Sequence, residues 1–369
     1  MKKLPLILLA LLAAACIGAM PFLCAHSNIL PEVSTAYYEQ KAQDEALNAT
    51  GPEAELMRLL LGGAAVPAVE AEPSKPTFTW FGLVLAIGAL TAAALMLLLN
   101  RKQTSLRHAL LWTIVLGIPF GLIGARLVYC AVNLPFYLHD IAAPEAMLKV
   151  WEGGLSLAGA LAFIALAGVI GAKLGKAPVG QVLHALSPAV YVVVIAAAIA
   201  ARAISMGYGP EIEEGFFSVA VNGTPRLDTT WLLIVVLSIV FIAATLRMQK
   251  VQSPAGQRFA LYAFLYGTVM ILLESLRRDG HMVWGFVHAE MIFNLCFALP
   301  ALLYLAKTKE RILLSFLATA ALACAVIALE FALDRSSIGD GLLYSVYTAV
   351  IGAYILLGCF FWKKRPAHP

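Results

Sequence analysis

The sequence predicts an all-α, polytopic membrane helical protein of about ten spans, and three observations carry that reading. The 369-residue chain is 61% hydrophobic and only 13% charged, whereas a soluble domain is roughly half apolar and one quarter charged. Its charges are bunched between long apolar runs, the pattern of a chain threaded through lipid. Basic residues gather in alternate loops, which gives the runs a consistent orientation.

Ten segments read as spans: 4–24, 80–99, 109–132, 154–172, 186–203, 230–246, 259–276, 287–306, 312–333 and 341–362. Each is close to the ~20 residues that carry a helix across about 30 Å of hydrocarbon. With the amino end inside, the inner loops hold Lys2 and Lys3; Arg101, Lys102 and Arg107; Lys173 and Lys176. They continue with Arg247, Lys250 and Arg258; Lys307, Lys309 and Arg311; and Lys363, Lys364 and Arg365. Every one of these loops is basic, and the acidic stretch Glu211-Ile212-Glu213-Glu214 falls outside, so both chain ends are expected in the cytoplasm.

Segment 1–24 reads as a signal peptide or an uncleaved signal-anchor span. Lys2 and Lys3 before an apolar run ending in small residues suit either, and Ala13-Ala14-Ala15-Cys16 approximates a lipobox with Ala where Leu is preferred. Residues 25–79 read as an extracytoplasmic tether or linker, polar from Tyr37 to Leu61 and rich in Ala, Pro and Glu from Ala64 to Pro76.

The six cysteines lie in or beside apolar runs, with no C-x-x-C and no histidine at ligand spacing, so they read as packed thiols rather than a metal or disulfide framework. No Gly-rich phosphate cradle of the nucleotide-binding kinds occurs. No cofactor, no metal and no nucleic-acid partner is expected.

An ionisable side chain within a span is expensive unless paired or hydrated, which makes each a functional candidate. Arg126 lies near the outer end of the third span and Arg202 near the outer end of the fifth; Glu274 and Arg277 stand at helical i, i+3 spacing, two turns after Tyr266. All approach the outer half of the bilayer, where arginines can bind a lipid phosphate bidentately. They equally suit a structural ion pair or side chains snorkelling to the interface. The loop Lys149-Val-Trp-Glu-Gly-Gly-Leu155 places two glycines before a helix that starts with small residues, Ser156, Ala158, Gly159 and Ala160. Such residues allow close helix approach, or a backbone-rich entry to a lipid cavity.

At these residues the chain resembles the bacterial prolipoprotein diacylglyceryl transferases, in order from about Thr79 to Leu305. Thr79-Trp-Phe-Gly-Leu83 is similar to the family's R-W-Y-G-L, and Gly124-Ala-Arg-Leu-Val-Tyr129 to its G-A-R-L-x-Y. The Lys149 loop is similar to K-V-W-D/E-G-G-L/M, and Tyr266-Gly267 with Glu274 and Arg277 to Y-G-x-x-R-x-x-x-E-x-x-R. The resemblance implies a seven-helix transferase-like core at 80–306, an added two-helix hairpin with a basic cytoplasmic tail at 307–369, and a site facing the extracytoplasmic side of the bacterial cell membrane. It implies transfer of diacylglyceryl from phosphatidylglycerol, or a similar phospholipid, to the lipobox cysteine thiol of a prolipoprotein signal peptide. It implies catalytic roles for Tyr266 and Glu274 and phosphate binding by Arg126, Arg202 and Arg277.

The chain departs from the family pattern at several positions. The family histidine after Gly-Gly is Ala158, the arginine four residues after the tyrosine is Met270, and the G-R-x-G-N-F-x-N-x-E signature survives here as Arg202 alone among its polar residues. His139, His281 and His288 lie in outer loops or at their edge, but no spacing places them at the site. The alternative expectation is a catalytically silent relative that binds phospholipid or a lipoprotein precursor as an accessory membrane protein.

Overall fold

A computed structural model describes residues 4–24, 78–134, 137, 147–204, 206–221, 223–251, 253–284, 286–306, 308–335 and 339–363. Most of the expected tether at 25–79, His139, Lys307 and the basic residues at both chain ends apart from the Lys363 backbone lie outside the described residues. The helices are α1 Leu4–Leu23, α2 Trp80–Leu99, α3 Thr104–Val132, α4 Leu157–Leu174, α5 Val179–Arg202, α6 Thr229–Gln249, α7 Ala255–Ser275, α8 Ala289–Ala306, α9 Lys309–Arg335 and α10 Asp340–Lys363. Among the described residues the nine helices α2 to α10 are long and apolar enough to cross a membrane, and α1 adds the shorter apolar stretch Ala10–Phe22. The protein is thus an all-α, multi-pass membrane bundle.

Several helices outrun the apolar windows that announce them. Helix α3 begins at Thr104 and includes Arg107 and His108, and α5 begins at Val179, because helical hydrogen bonding continues through polar residues where hydropathy stops. Helix α4 instead starts late. Gly153 (φ 92°) and Gly154 (φ 75°) occupy the left-handed region, which no helix tolerates. Ser156 then caps α4, its Oγ accepting from the Gly159 N–H at 3.0 Å.

Small residues set the closest crossing. A side chain on Gly124 of α3 would collide with the Gly159 carbonyl, and one on Gly159 of α4 with the Gly124 carbonyl. The two backbones therefore touch through glycine, as packing in lipid favours. Helix α7 lies deepest, packed among α5, α6, α8 and α10. The α9–α10 hairpin closes over α7 and α8, with Tyr347 fully buried, Tyr354 against Phe264, and Thr319 hydrogen-bonded to the Tyr354 hydroxyl at 2.6 Å.

One end of the bundle carries short strands that the hydropathy pattern does not announce. Between α5 and α6, β1 Tyr208–Glu211, β2 Ser218–Val221 and β3 Thr224–Asp228 form an antiparallel sheet in the order β1-β3-β2. Between α7 and α8, β4 Val283–Trp284 pairs with β5 Val287–His288. Strands this short offer too little alternation to read from sequence. They position the polar groups at this end of the bundle. Asp228 ends β3 and caps α6, and the Arg278 N–H donates to the Tyr208 carbonyl at 2.8 Å, tying the segment after α7 to the sheet.

Candidate active site at the sheet-bearing end of the bundle

The loop before α4 is organised by Arg126. Its Nε donates to the Met147 carbonyl at 2.9 Å, its Nη2 to Lys149 O at 3.2 Å, and its Nη1 to Gly154 O at 3.2 Å and to Gly153 O. The guanidinium also lies near the rings of Tyr129 and Tyr137, with centroids 5.9 and 5.8 Å away. A buried arginine needs such compensation, and here the carbonyls of residues 147–154 supply it. Gly154 packs so closely on the Tyr129 ring that no β-carbon fits.

A second cluster forms where α7 ends. Arg277 Nη1 lies 3.1 Å from Glu274 Oε2, and its Nη2 donates to Asp279 Oδ2 at 2.6 Å. Asp279 Oδ2 also accepts from the Gly207 N–H at 2.8 Å, fastening the end of α7 to the segment before β1. The Arg277 Nε is buried without a hydrogen-bond partner among the described residues. Burial works to raise the Asp279 carboxyl, but Arg277 and these hydrogen bonds outweigh it and hold the group below the usual carboxylate range.

Glu290, in the first turn of α8, joins this cluster to α4. Its Oε1 accepts from Ser156 Oγ at 2.8 Å and its Oε2 from the Ala158 N–H at 3.3 Å. Arg202, the last residue of α5, donates from Nε to Asp228 Oδ2 at 2.6 Å and lies over the Trp231 ring at 5.3 Å. Its side chain is 43% exposed, and its two terminal nitrogens have no partner among the described residues.

These elements border a chamber of about 900 Å³, part of it open to the surface, whose ionisable lining is Glu274, Arg277, His281 and Glu290. Phe81, Leu155 and Leu157 also line an apolar cavity of about 1070 Å³ that runs between α2, α3, α4 and α5, with Met20 of α1 in its wall. The arrangement sets an apolar slot beside a charged chamber, with these three side chains lining both. A third cavity, about 800 Å³, lies on the other side of α5, and Tyr266 lines that one instead of the chamber.

His281 is the group the sequence alone leaves unplaced. It stacks on Tyr129 with centroids 5.8 Å apart and planes 25° from parallel, and is hydrogen-bonded to the Leu155 backbone. Burial, and then the Arg277 charge, push it down to about 4, so the ring is neutral at pH 7.

Of the residues expected at the site, Glu274 and Arg277 line the chamber, Arg202 stands at the end of α5, and Arg126 is held by loop carbonyls. Ala158 is buried beside Glu290, and Met270 sits in an apolar cluster with Leu161, Val194, Leu237 and Leu273. Sequence reasoning does not bring Asp228, Asp279, His281 or Glu290 to the site. Glu290 meets the criterion that picks out Glu274, an ionisable group in an apolar span. The others are strand-end or loop residues whose placement depends on the short strands.

Among the described residues, nine apolar helices and a buried cation–carboxylate chamber beside an apolar cavity define a multi-pass membrane protein with a charged internal site. The model of the prolipoprotein diacylglyceryl transferase family matches residues 72–307. The chain belongs to that family. The phosphatidylglycerol–prolipoprotein diacylglyceryl transferase of Rhodococcus jostii is 27% identical over 225 residues, covering 53% of this chain and 60% of the relative. That of Listeria welshimeri is 21% identical over 230 residues (58% and 80%), and that of Lactobacillus delbrueckii subsp. bulgaricus 20% over 250 residues (63% and 87%). The match therefore spans less than two thirds of the Rhodococcus protein's length.

Proposed function

We propose that this protein transfers a diacylglyceryl group from phosphatidylglycerol, or a similar phospholipid, to the lipobox cysteine thiol of a prolipoprotein. The observation that carries the reading is the adjacency of the apolar cavity to the Arg277 chamber, with Phe81, Leu155 and Leu157 lining both. That shape suits a lipid whose acyl portion lies between α2, α4 and α5 and whose phosphate reaches the arginines.

In this reading the thiol sulfur bonds to the glyceryl carbon that carries the phosphate, the carbon–oxygen bond breaks, and glycerol phosphate leaves. Negative charge grows on the departing phosphate, and cations fixed in a water-poor site stabilise it most. The orphan Nε of Arg277 and the terminal nitrogens of Arg202 are donors available for that charge. Arg126 acts through the loop, holding the Gly153 and Gly154 carbonyls at the chamber edge. Basic residues at the opposite end of the bundle, Arg107, Lys173, Arg247 and Arg311, support a chamber on the extracytoplasmic side of the bacterial cell membrane. The α9–α10 hairpin is then an addition to the transferase core.

A second reading is a silent relative that retains phospholipid, favoured by the burial of Met270 in apolar contacts where the family has a cation. The full chain in phosphatidylglycerol vesicles with a lipobox peptide separates the two. Formation of a diacylglyceryl thioether supports the transferase; lipid retention without thioether, lost in Arg202→Ala, supports the silent relative.

A further inference from the structure

Resting on the transferase reading, we propose that Glu290 selects a donor lipid whose head group carries an ammonium, so that phosphatidylethanolamine is preferred to phosphatidylglycerol. The chamber holds more acid than base. Its lining has two carboxylates, Glu274 and Glu290, and one guanidinium, Arg277, with His281 neutral at pH 7. Arg277 is already shared between Glu274, at 3.1 Å, and Asp279, at 2.6 Å. Arg126 is bonded to loop carbonyls and Arg202 to Asp228, and neither belongs to the lining. Glu290 is only 4% exposed, yet it has no ion-pair partner among the described residues.

The hydrogen bonds of Glu290 are those of an ionised group. Ser156 Oγ accepts from the Gly159 N–H, so its own proton goes to Glu290 Oε1, while the Ala158 N–H goes to Oε2. Both oxygens therefore act as acceptors. A carboxylate has about four lone-pair positions, and these two donors occupy half of them. A buried carboxylate that lacks a cation is unfavourable until a ligand brings one. An ammonium supplies that charge together with N–H donors for the open positions. In phosphatidylethanolamine a short two-carbon link separates it from the phosphate. One head group can then meet Glu290 with its ammonium and the unpartnered Arg277 Nε with its phosphate, since both residues line the chamber. Phosphatidylglycerol carries neutral glycerol in that place, adds net negative charge to a chamber with excess carboxylate, and ranks second as a donor. Selection of this kind comes from disfavouring the wrong head group as much as from attracting the right one. With the amine lipid, sulfur bonds to the glyceryl carbon, the carbon–oxygen bond breaks, and the thiol proton leaves with phosphoethanolamine.

The test places the full chain in vesicles of equal phosphatidylethanolamine and phosphatidylglycerol, extracts it in mild detergent, and measures the retained lipids by mass spectrometry. Wild type is expected to retain the ethanolamine lipid about tenfold over phosphatidylglycerol, the scale of one charge-assisted hydrogen bond. Glu290→Gln keeps the side-chain shape and removes the charge, and should bring the ratio close to one. A second measurement needs no variant: N-acetylated phosphatidylethanolamine, which lacks the ammonium, should have no such advantage with wild type. Equal retention of the two lipids by wild type, or a preference for phosphatidylglycerol, would overturn the proposal. So would retention of neither lipid, or an advantage that survives acetylation or Glu290→Gln. Transfer is read separately, as diacylglyceryl thioether on a lipobox peptide in vesicles of each lipid. A retained ethanolamine lipid with no thioether from either donor would remove the transferase reading and leave the head-group selection standing.

Discussion

Ser156 Oγ donates to Glu290 Oε1 at 2.8 Å, joining the cap of α4 to the first turn of α8 across 134 residues of chain. One hydroxyl thereby serves two purposes, since the same oxygen accepts the Gly159 N–H. Ser156→Ala removes both bonds and leaves the buried Glu290 oxygen without its donor. The expected destabilisation is about 3 kcal/mol, the combined scale of a cap and a charged hydrogen bond. Denaturation in detergent micelles checks it.

Gly154 faces the Tyr129 ring with φ 75°. Gly154→Ala is expected to destabilise by about 2 kcal/mol or more, from backbone strain and collision together. In the double variant Gly154→Ala with Tyr129→Ala the collision disappears and the strain remains. A double-mutant cycle should therefore show clear non-additivity.

Arg126 and Arg202 are both arginines near a helix end, yet their substitutions should behave differently. Arg126→Lys cannot reproduce four carbonyl contacts, and a loss of about 3 kcal/mol or more is expected with the loop at 147–154 loosened. Arg202 is 43% exposed and its partner Asp228 is buried; Thr230 Oγ1 and the Trp231 N–H donate to Asp228 Oδ1, and Arg202 Nε donates to Oδ2. Arg202→Ala should thus cost about 1–3 kcal/mol, from the buried Asp228 oxygen left without a donor, while phosphatidylglycerol retention falls about tenfold, the scale of one charge-assisted hydrogen bond. Thermal unfolding beside a vesicle retention assay separates the two classes.

His281 is held down to about 4 from an ordinary 6.5, so the unfolded chain binds its proton first as pH falls. Its contribution to stability is present above 6.5 and is lost as pH drops from there towards 4. His288, lowered mainly by burial, acts in the same direction. Thermal stability in detergent is expected to decline between pH 7 and 4, and less steeply in His281→Gln. An equal slope in the two proteins would contradict the assignment.

The bundle is legible in the sequence because its signals are long: twenty-residue apolar runs, charge alternation and ordered motifs. The chamber is legible only where function and helix coincide. Glu274 and Arg277 share one turn, so spacing alone pairs them. Glu290 is open to the same reasoning, as is Glu330, buried in α9 beside Tyr347 and Ser275, although neither stands in a family motif recognised above. Asp279 and His281 are not legible, because their positions depend on a Gly207 N–H, a Leu155 carbonyl and strands of two to five residues. For Arg126, spacing indicates depth in the membrane but not partners. Carbonyls carry no sequence signature.

Group transfer in the chamber is tested by mass analysis of the full-length wild-type protein incubated with phosphatidylglycerol vesicles and a lipobox peptide, tracking both products. The expected result is a diacylglyceryl thioether on the peptide cysteine and glycerol phosphate in equal amounts, both absent in Arg277→Gln. Unmodified peptide with intact phosphatidylglycerol, in vesicles from which the protein retains lipid, would contradict it.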